Sequence, residues 1–156
     1  MKRKIVYTII LFFVLFIGGC NSRGISVTTV TGEVTYNGTP VENALISFVP
    51  QTPNGRGASG QSESNGAFVL LTQGATQSGA MLGEYKVLVS KVVEIDSSGK
   101  EVKRELVENY DPVNPPQQKM YPQKNLLPEK YSKEDSTEFT VTVEKGKNHF
   151  KLALKD

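Results

Sequence analysis

The chain has one cysteine, one histidine and no tryptophan in 156 residues. A single Cys excludes an internal disulfide framework and any zinc site built from several thiolates. A single His excludes metal centres made of several imidazoles and leaves His149 as the only pivot for a His-based triad. Charge of one sign is also scarce. Eighteen basic residues face sixteen acidic ones, a formal net charge of +2. The length suits one domain with a short appendage.

The basic excess is concentrated at the start. Lys2, Arg3 and Lys4 precede Ile5 to Ile17, a run that is apolar apart from Thr8 and the Tyr7 hydroxyl. A helix that crosses a bilayer needs about 20 apolar residues, so this run is short for a span and fits a secretory h-region. It closes with Phe16-Ile17-Gly18-Gly19-Cys20. That ending resembles the bacterial lipobox, an aliphatic residue and two small residues before Cys. The resemblance implies cleavage before Cys20, diacylglycerol on its sulfur and acylation of the new amine. The only Cys of the chain stands where a lipobox requires it, and an exported protein has little other use for a lone thiol. Residues 1–19 are therefore read as a lipoprotein signal peptide and 20–26 as a lipidated tether. Acyl chains contribute about 0.8 kcal/mol per buried CH₂, so two or three anchor a protein stably. Asn21 follows where Asp would favour inner-membrane retention in enteric bacteria. The expected location is thus the outer membrane or cell surface rather than the inner membrane.

Removal of the leader takes three basic residues and no acidic one. Fifteen basic residues then face sixteen acidic, and the mature chain is close to neutral. This argues against an acidic partner such as nucleic acid.

From Val27 onward the pattern is β. Val30, Val34 and Tyr36 share one parity and Thr31, Glu33 and Thr35 the other. Asn37-Gly38 is a strong tight-turn signal, because both residues tolerate positive φ. Val41 to Val49 is a second strand with Ala44, Ile46 and Phe48 inward, stopped by Pro50. Ala58 to Glu63 is a weak strand. Asn65-Gly66 turns the chain into Ala67 to Thr72, where Phe68 and Leu70 share a face. Gly83 to Val93 alternates through Tyr85, Val87 and Val89. Glu138 to Glu144 and Asn148 to Leu154, joined at Lys145-Gly146, are expected to form a closing β-hairpin with Phe150, Leu152 and Leu154 inward. Seven short strands with regular turns predict an all-β, two-sheet sandwich over 27–156. Residues 92–137 have no consistent period and are expected to be a long irregular loop before the last hairpin. Within it, Ser97-Ser98-Gly99 suggests a protruding hairpin with Lys100–Val107 as its second arm. A short helix over Glu101 to Tyr110 is the other reading. Five prolines between Asp111 and Pro128 favour extended backbone.

Several stretches carry a resemblance. Val30-Thr31-Gly32-Glu33-Val34, Asn37-Gly38-Thr39-Pro40-Val41 and Ala44-Leu45-Ile46-Ser47-Phe48 resemble the start of a carboxypeptidase regulatory-like domain, a transthyretin-like (prealbumin-like) sandwich. Ser64-Asn65-Gly66-Ala67-Phe68 and Leu82-Gly83-Glu84-Tyr85-Lys86-Val87 resemble its later turn and strand, with Leu82 in place of the usual Pro. Leu127-Pro128-Glu129-Lys130-Tyr131-Ser132, Phe139-Thr140-Val141-Thr142-Val143 and Gly146-Lys147-Asn148 resemble small lipoproteins of this fold abundant in planctomycete-type bacteria. The resemblance implies a seven-stranded sandwich. It does not imply one activity, because fold and function are separable.

The candidate chemistry is sparse. Some transthyretin-like enzymes hydrolyse a ureide with several His and Arg residues and a Tyr-Arg-Gly-Ser tail. This chain has one His and ends Leu152-Ala153-Leu154-Lys155-Asp156. His149 has the opposite parity to Phe150 and is expected on the outer face. Asp96, Asp111 and Asp135 form no calcium loop. Ser59, Ser62 and Ser64 lack a nucleophile elbow and read as turn and edge residues. No metal, cofactor or catalytic set is expected. Tyr110, Tyr121 and Tyr131 are spaced among Lys119, Lys124, Lys130 and Lys133, and Tyr faces stack on sugars. These three tyrosines are the candidate ligand-binding residues. The alternative for Tyr131 is a plug at the end of the sandwich. The expected function is a non-enzymatic exported lipoprotein with a structural, adhesive or protein-interaction role. It would be anchored to the membrane through the lipid on Cys20 and would meet an envelope protein or polysaccharide. The alternative is a glycan- or small-ligand-binding module using residues 107–131. A hydrolytic enzyme is the remote alternative.

Overall fold

The computed structural model describes residues 24–103 and 119–156. The expected signal peptide (1–19), Cys20 and the first part of the expected tether lie outside them, as do Tyr110, Asp111 and the rest of the expected Lys100–Val107 arm beyond Lys103.

The described chain is β throughout. Its strands are β1 (Val30–Tyr36), β2 (Thr39–Pro40), β3 (Leu45–Pro50), β4 (Ala58–Gln61), β5 (Ala67–Val69), β6 (Leu71–Thr72), β7 (Gly83–Ser90), β8 (Val92–Glu94), β9 (Gln123–Asn125), β10 (Thr140–Val143) and β11 (Asn148–Leu154). One 3-10 turn, Glu129–Tyr131, is the only helical element among the described residues. Two sheets face each other. One has the order β11-β1-β2, with β5 also on β1, and the other has the order β10-β7-β3-β4-β6. A separate ribbon pairs β8 with β9.

The alternation in the sequence explains the layers. A strand places successive side chains on opposite faces, so one apolar parity can be buried while the other stays wet. Val30 and Val34 of β1, Ile46 and Phe48 of β3, Tyr85, Val87 and Val89 of β7, and Leu152 and Leu154 of β11 are all buried. Thr140 and Thr142 of β10 are exposed while Val143 is buried. Phe48 ties the leaves together. Its ring centroid lies 5.7 Å from that of Tyr85 in its own sheet and 5.8 Å from that of Phe150 in the other. Both ring pairs are tilted, an arrangement aromatic quadrupoles favour.

The expected closing hairpin is not formed. β10 pairs antiparallel with β7, from Thr140↔Lys86 to Val143↔Gly83. β11 pairs parallel with β1, from Val30↔Asn148 to Tyr36↔Leu154. The connection crosses from one sheet to the other. The physical reason is that both strands cover the same core from opposite sides, which period-2 burial alone does not distinguish from a hairpin. The crossing is closed locally. Asn148 Oδ1 accepts from the Glu144 N–H at 3.0 Å, and Asn148 Nδ2 donates to the Glu144 carbonyl at 2.9 Å. Gly146 takes φ +102°, a value that L side chains rarely adopt.

The strand count also departs from seven. The stretch Ala67–Thr72 divides at Leu70, so that β5 pairs with β1 and β6 with β4. Leu70 is buried at the crossing, with its N–H on the Val30 carbonyl and its own carbonyl taken by Gly79. Within 92–137, the described residues are less irregular than expected. β8 and β9 pair from Val92↔Asn125 to Glu94↔Gln123. The turn at Ser97-Ser98-Gly99 is present. Asp96 Oδ1 accepts from the Ser98 and Lys100 N–H groups at 2.8 and 3.0 Å and from the Ser98 hydroxyl. On its far side the chain returns to β8 through Val102, whose N–H meets the Glu94 carbonyl at 2.8 Å.

Buried polar groups are matched. Ser62 is buried, accepts from the Ala44 N–H at 2.9 Å and donates to the Val41 carbonyl at 2.6 Å. Thr72 donates to the Gly79 carbonyl at 2.9 Å. Among the described residues no buried side-chain N or O atom lacks a partner, as a stable interior requires.

Gly32 marks the tightest packing in β1. A Cβ there would lie 2.4 Å from the Phe68 ring and 2.4 Å from the Phe150 carbonyl oxygen. The Phe68 ring therefore occupies the space that a side chain would take. Gly32→Ala is expected to destabilise the domain by about 1–3 kcal/mol through overpacking. Gly57→Ala, where a Cβ would make only an ordinary 3.5 Å contact with the Phe48 carbonyl oxygen, is the control. Urea denaturation of both variants checks this, and equal midpoints would contradict it.

Candidate functional site

Strand directions give the sandwich two poles. β1 and β11 run from an entry pole, where Thr28 exchanges backbone hydrogen bonds with Ala80, to a distal pole at Tyr36 and Leu154. β7 ends at the distal pole, so the β8–β9 ribbon that follows it lies there too. Of the residues singled out by sequence, Asp96 and Tyr121 lie on or next to this ribbon and Tyr131 lies beneath the distal pole.

Asn125 fastens the ribbon to the sandwich. Its Oδ1 accepts from the Lys91 N–H at 3.0 Å and the Leu127 N–H at 3.2 Å. The Leu126 N–H returns to the Lys91 carbonyl at 2.8 Å. Two shallow clefts of about 380 Å³ each flank this point and share Lys91. One is bounded by Asn43, Gln61, Glu94 and Glu101. The other lies between Tyr36, Pro40, Glu42, Ser64 and Leu126. Neither Lys91 nor Asn125 stands out in the sequence. The one local signal is the Asn-Leu-Leu-Pro run, because Asn readily bonds the backbone two residues on.

Tyr131 is not on a ligand-facing surface. It is completely buried. Its ring stacks on Phe139 with centroids 5.4 Å apart. Its hydroxyl lies 3.0 Å from Glu138 Oε1 and accepts from the Lys155 N–H at 3.0 Å. The Lys130 ammonium lies 4.9 Å from the ring centroid. Tyr131 plugs the distal end of the core, the alternative expected for it, and its buried ring is not open to a sugar. Tyr121 is half-buried, with the Lys119 ammonium 5.2 Å from its ring centroid. Tyr110 lies outside the described residues.

His149 is exposed on the outer face of the first sheet, as its parity predicts. Its Nδ1 is 3.1 Å from the Thr31 hydroxyl. One row along, Lys151 Nζ meets Glu33 Oε1 at 2.8 Å. The hydrogen bond and charge of Lys151, with a smaller contribution from His149, hold the Glu33 carboxyl below its ordinary value. The hydrogen bond and charge of Glu33 in turn raise Lys151. Both side chains are largely exposed, so this pair is worth little. The row lies on the exposed outer face of the sheet and lines neither of the two clefts. Asp96 is occupied by its turn, and its carboxyl is held low by the Ser98 hydroxyl and the neighbouring N–H groups. Among the described residues no three His, Cys, Asp or Glu side chains converge to hold a metal ion.

The C-terminus is clasped at the distal pole. Asp156 accepts from the Tyr36 hydroxyl through Oδ1 and from Asn37 Nδ2 through Oδ2, the latter at 2.9 Å. The Tyr36 bond first and the Asn37 bond second lower the Asp156 carboxyl. The bond to Asp156 raises the Tyr36 phenol.

No protein family, no curated protein and no solved structure matches the chain. Among the described residues no helix is long and apolar enough to cross a membrane.

The clasp has a definite pH signature. A lowered carboxyl stabilises the fold above its unfolded value and loses that contribution as pH falls through its folded value. A raised phenol stabilises below the ordinary tyrosine range and loses its contribution as pH rises through its folded value. Asp156→Ala is expected to melt below the wild type at neutral pH, with the gap closing as the solution is acidified. Thermal melts across the acid range test this, and a gap that stays constant down to full protonation would contradict it.

Proposed function

We propose that this chain is an exported lipoprotein whose mature part, a carboxypeptidase regulatory-like sandwich, has a non-catalytic structural, adhesive or protein-binding role in the cell envelope. One observation carries the reading. The only Cys of the chain, Cys20, follows Ile17-Gly18-Gly19 at the end of a basic and then apolar leader. Acylation there would hold the domain at the outer membrane or cell surface. The two-sheet sandwich supports the non-catalytic part, because its one His lies on an exposed outer sheet face against Thr31. Partners of stated chemistry are an envelope protein or polysaccharide.

A second reading has its own support. The half-buried Tyr121 beneath Lys119 and the two clefts that share Lys91 suit a small ligand or glycan, which aromatic faces and a few polar groups recognise. In this reading Tyr121 and Tyr110 are the stacking residues. Tyr131 supports them only from within the core. A glycan array separates the readings: binding that is lost in Tyr121→Ala favours the second, and binding that is absent or unchanged removes it.

For the anchor, labelled palmitate is expected to enter the wild-type protein and not Cys20→Ser. Equal incorporation into both would contradict acylation at Cys20.

A further inference from the structure

We propose that the entry pole of the sandwich lies against the lipid surface, so that the β8–β9 ribbon and its clefts are displayed away from the membrane. The proposal rests on the lipoprotein reading and adds an orientation to it. The described chain begins at Gly24, only four residues after Cys20. Four residues extend at most about 14 Å, so an acylated Cys20 holds Gly24 near the headgroups.

The path of the next residues fixes which part of the domain follows. Ile25 reaches the loop after β6, where a Cβ on Gly74 would lie 3.2 Å from Ile25 Cδ1. Thr28 and Ala80 exchange backbone hydrogen bonds at 2.9 and 3.0 Å. The Thr28 hydroxyl donates to the Gly146 carbonyl in the β10–β11 connection. The chain is thus attached to the entry pole on both sheets before β1 begins, so the tether meets the domain at that pole. β1 then runs away from that pole for about 20 Å at roughly 3.3 Å per residue. The ribbon lies beyond its far end.

The surface at the entry pole suits a lipid headgroup layer. Leu82 is 49% exposed there. Arg56, Lys145 and Lys147 are exposed at the same pole and carry donors for lipid phosphates. Glu84 and Glu144 are also exposed there, so attraction by charge is modest and the covalent tether sets the orientation. Opposite it, the Asp96–Gly99 turn projects outward from the ribbon. A partner in the envelope would meet this turn and the clefts at Lys91 first.

The test uses the full chain made in a bacterial host and reconstituted in phosphatidylglycerol and phosphatidylcholine vesicles. Acylated Cys20 has no free thiol, so Lys147→Cys at the entry pole and Ser97→Cys at the distal turn each provide one labelling site. Both would carry a fluorophore, with spin-labelled headgroups in the vesicles as quencher. The expected result is loss of most fluorescence at position 147 and retention at position 97. Equal quenching at the two positions, or stronger quenching at 97, would overturn the orientation. Intact mass of the same samples separates the two failures. A chain without acyl groups removes the lipoprotein reading and this proposal together. An acylated chain with equal quenching removes only the orientation.

Discussion

The parallel pairing of β11 with β1 is the constraint on which the rest of the structure depends. It joins residues 118 apart in sequence along seven consecutive pairs. Because β10, the strand just before it, belongs to the opposite sheet, this pairing also links the two sheets at their edges. The buried Leu152 and Leu154 cover β1 from beside it, and Phe150 reaches across to Phe48. The pairing carries the C-terminus to the end of β1, where Asp156 meets Tyr36 and Asn37. It also brings the Lys155 N–H to the buried Tyr131 hydroxyl. The plug, the clasp and the separation of the two poles all follow from one strand's position.

The same constraint has an entropic side. Contacts between distant parts of a chain require loop closure before they stabilise anything. The domain offsets this with close local fits. Ser62 fixes the segment between β2 and β3, Asn148 closes the sheet crossing and Asn125 fastens the ribbon. Each is a short polar side chain satisfying backbone groups that the turns leave unpaired, where a buried unpaired group would cost about 1–3 kcal/mol.

Much of the fold was legible in the sequence. The parity of Val30 and Val34, of Ile46 and Phe48, of Tyr85 to Val89 and of Leu152 and Leu154 predicted the faces that are buried. Parity reports a face and not a neighbour, so the turn at Lys145-Gly146 read as a hairpin although its strands lie in different sheets. Strands of three residues, such as β8 and β9, are too short to show a period, which is why their stretches read as irregular. The candidate site was less legible. Tyr131 and Tyr121 look alike in sequence, each within two residues of a lysine, yet one is a core plug and the other half-exposed. Long-range contacts made the difference: Tyr131 stacks on Phe139 and meets Lys155, and neither is visible from its own surroundings. Lys91 gains its place only because Asn125 folds back on it.

The central claim is that the last strand closes the first sheet beside β1 and not a hairpin beside β10. Backbone nuclear Overhauser contacts in the isotope-labelled chain test it most directly. The account predicts contacts between Val34 and Leu152 in parallel register and between Val141 and Tyr85. Cross-strand contacts joining Val143 and Val141 to the residues after Asn148, with none from β11 to β1, would contradict it.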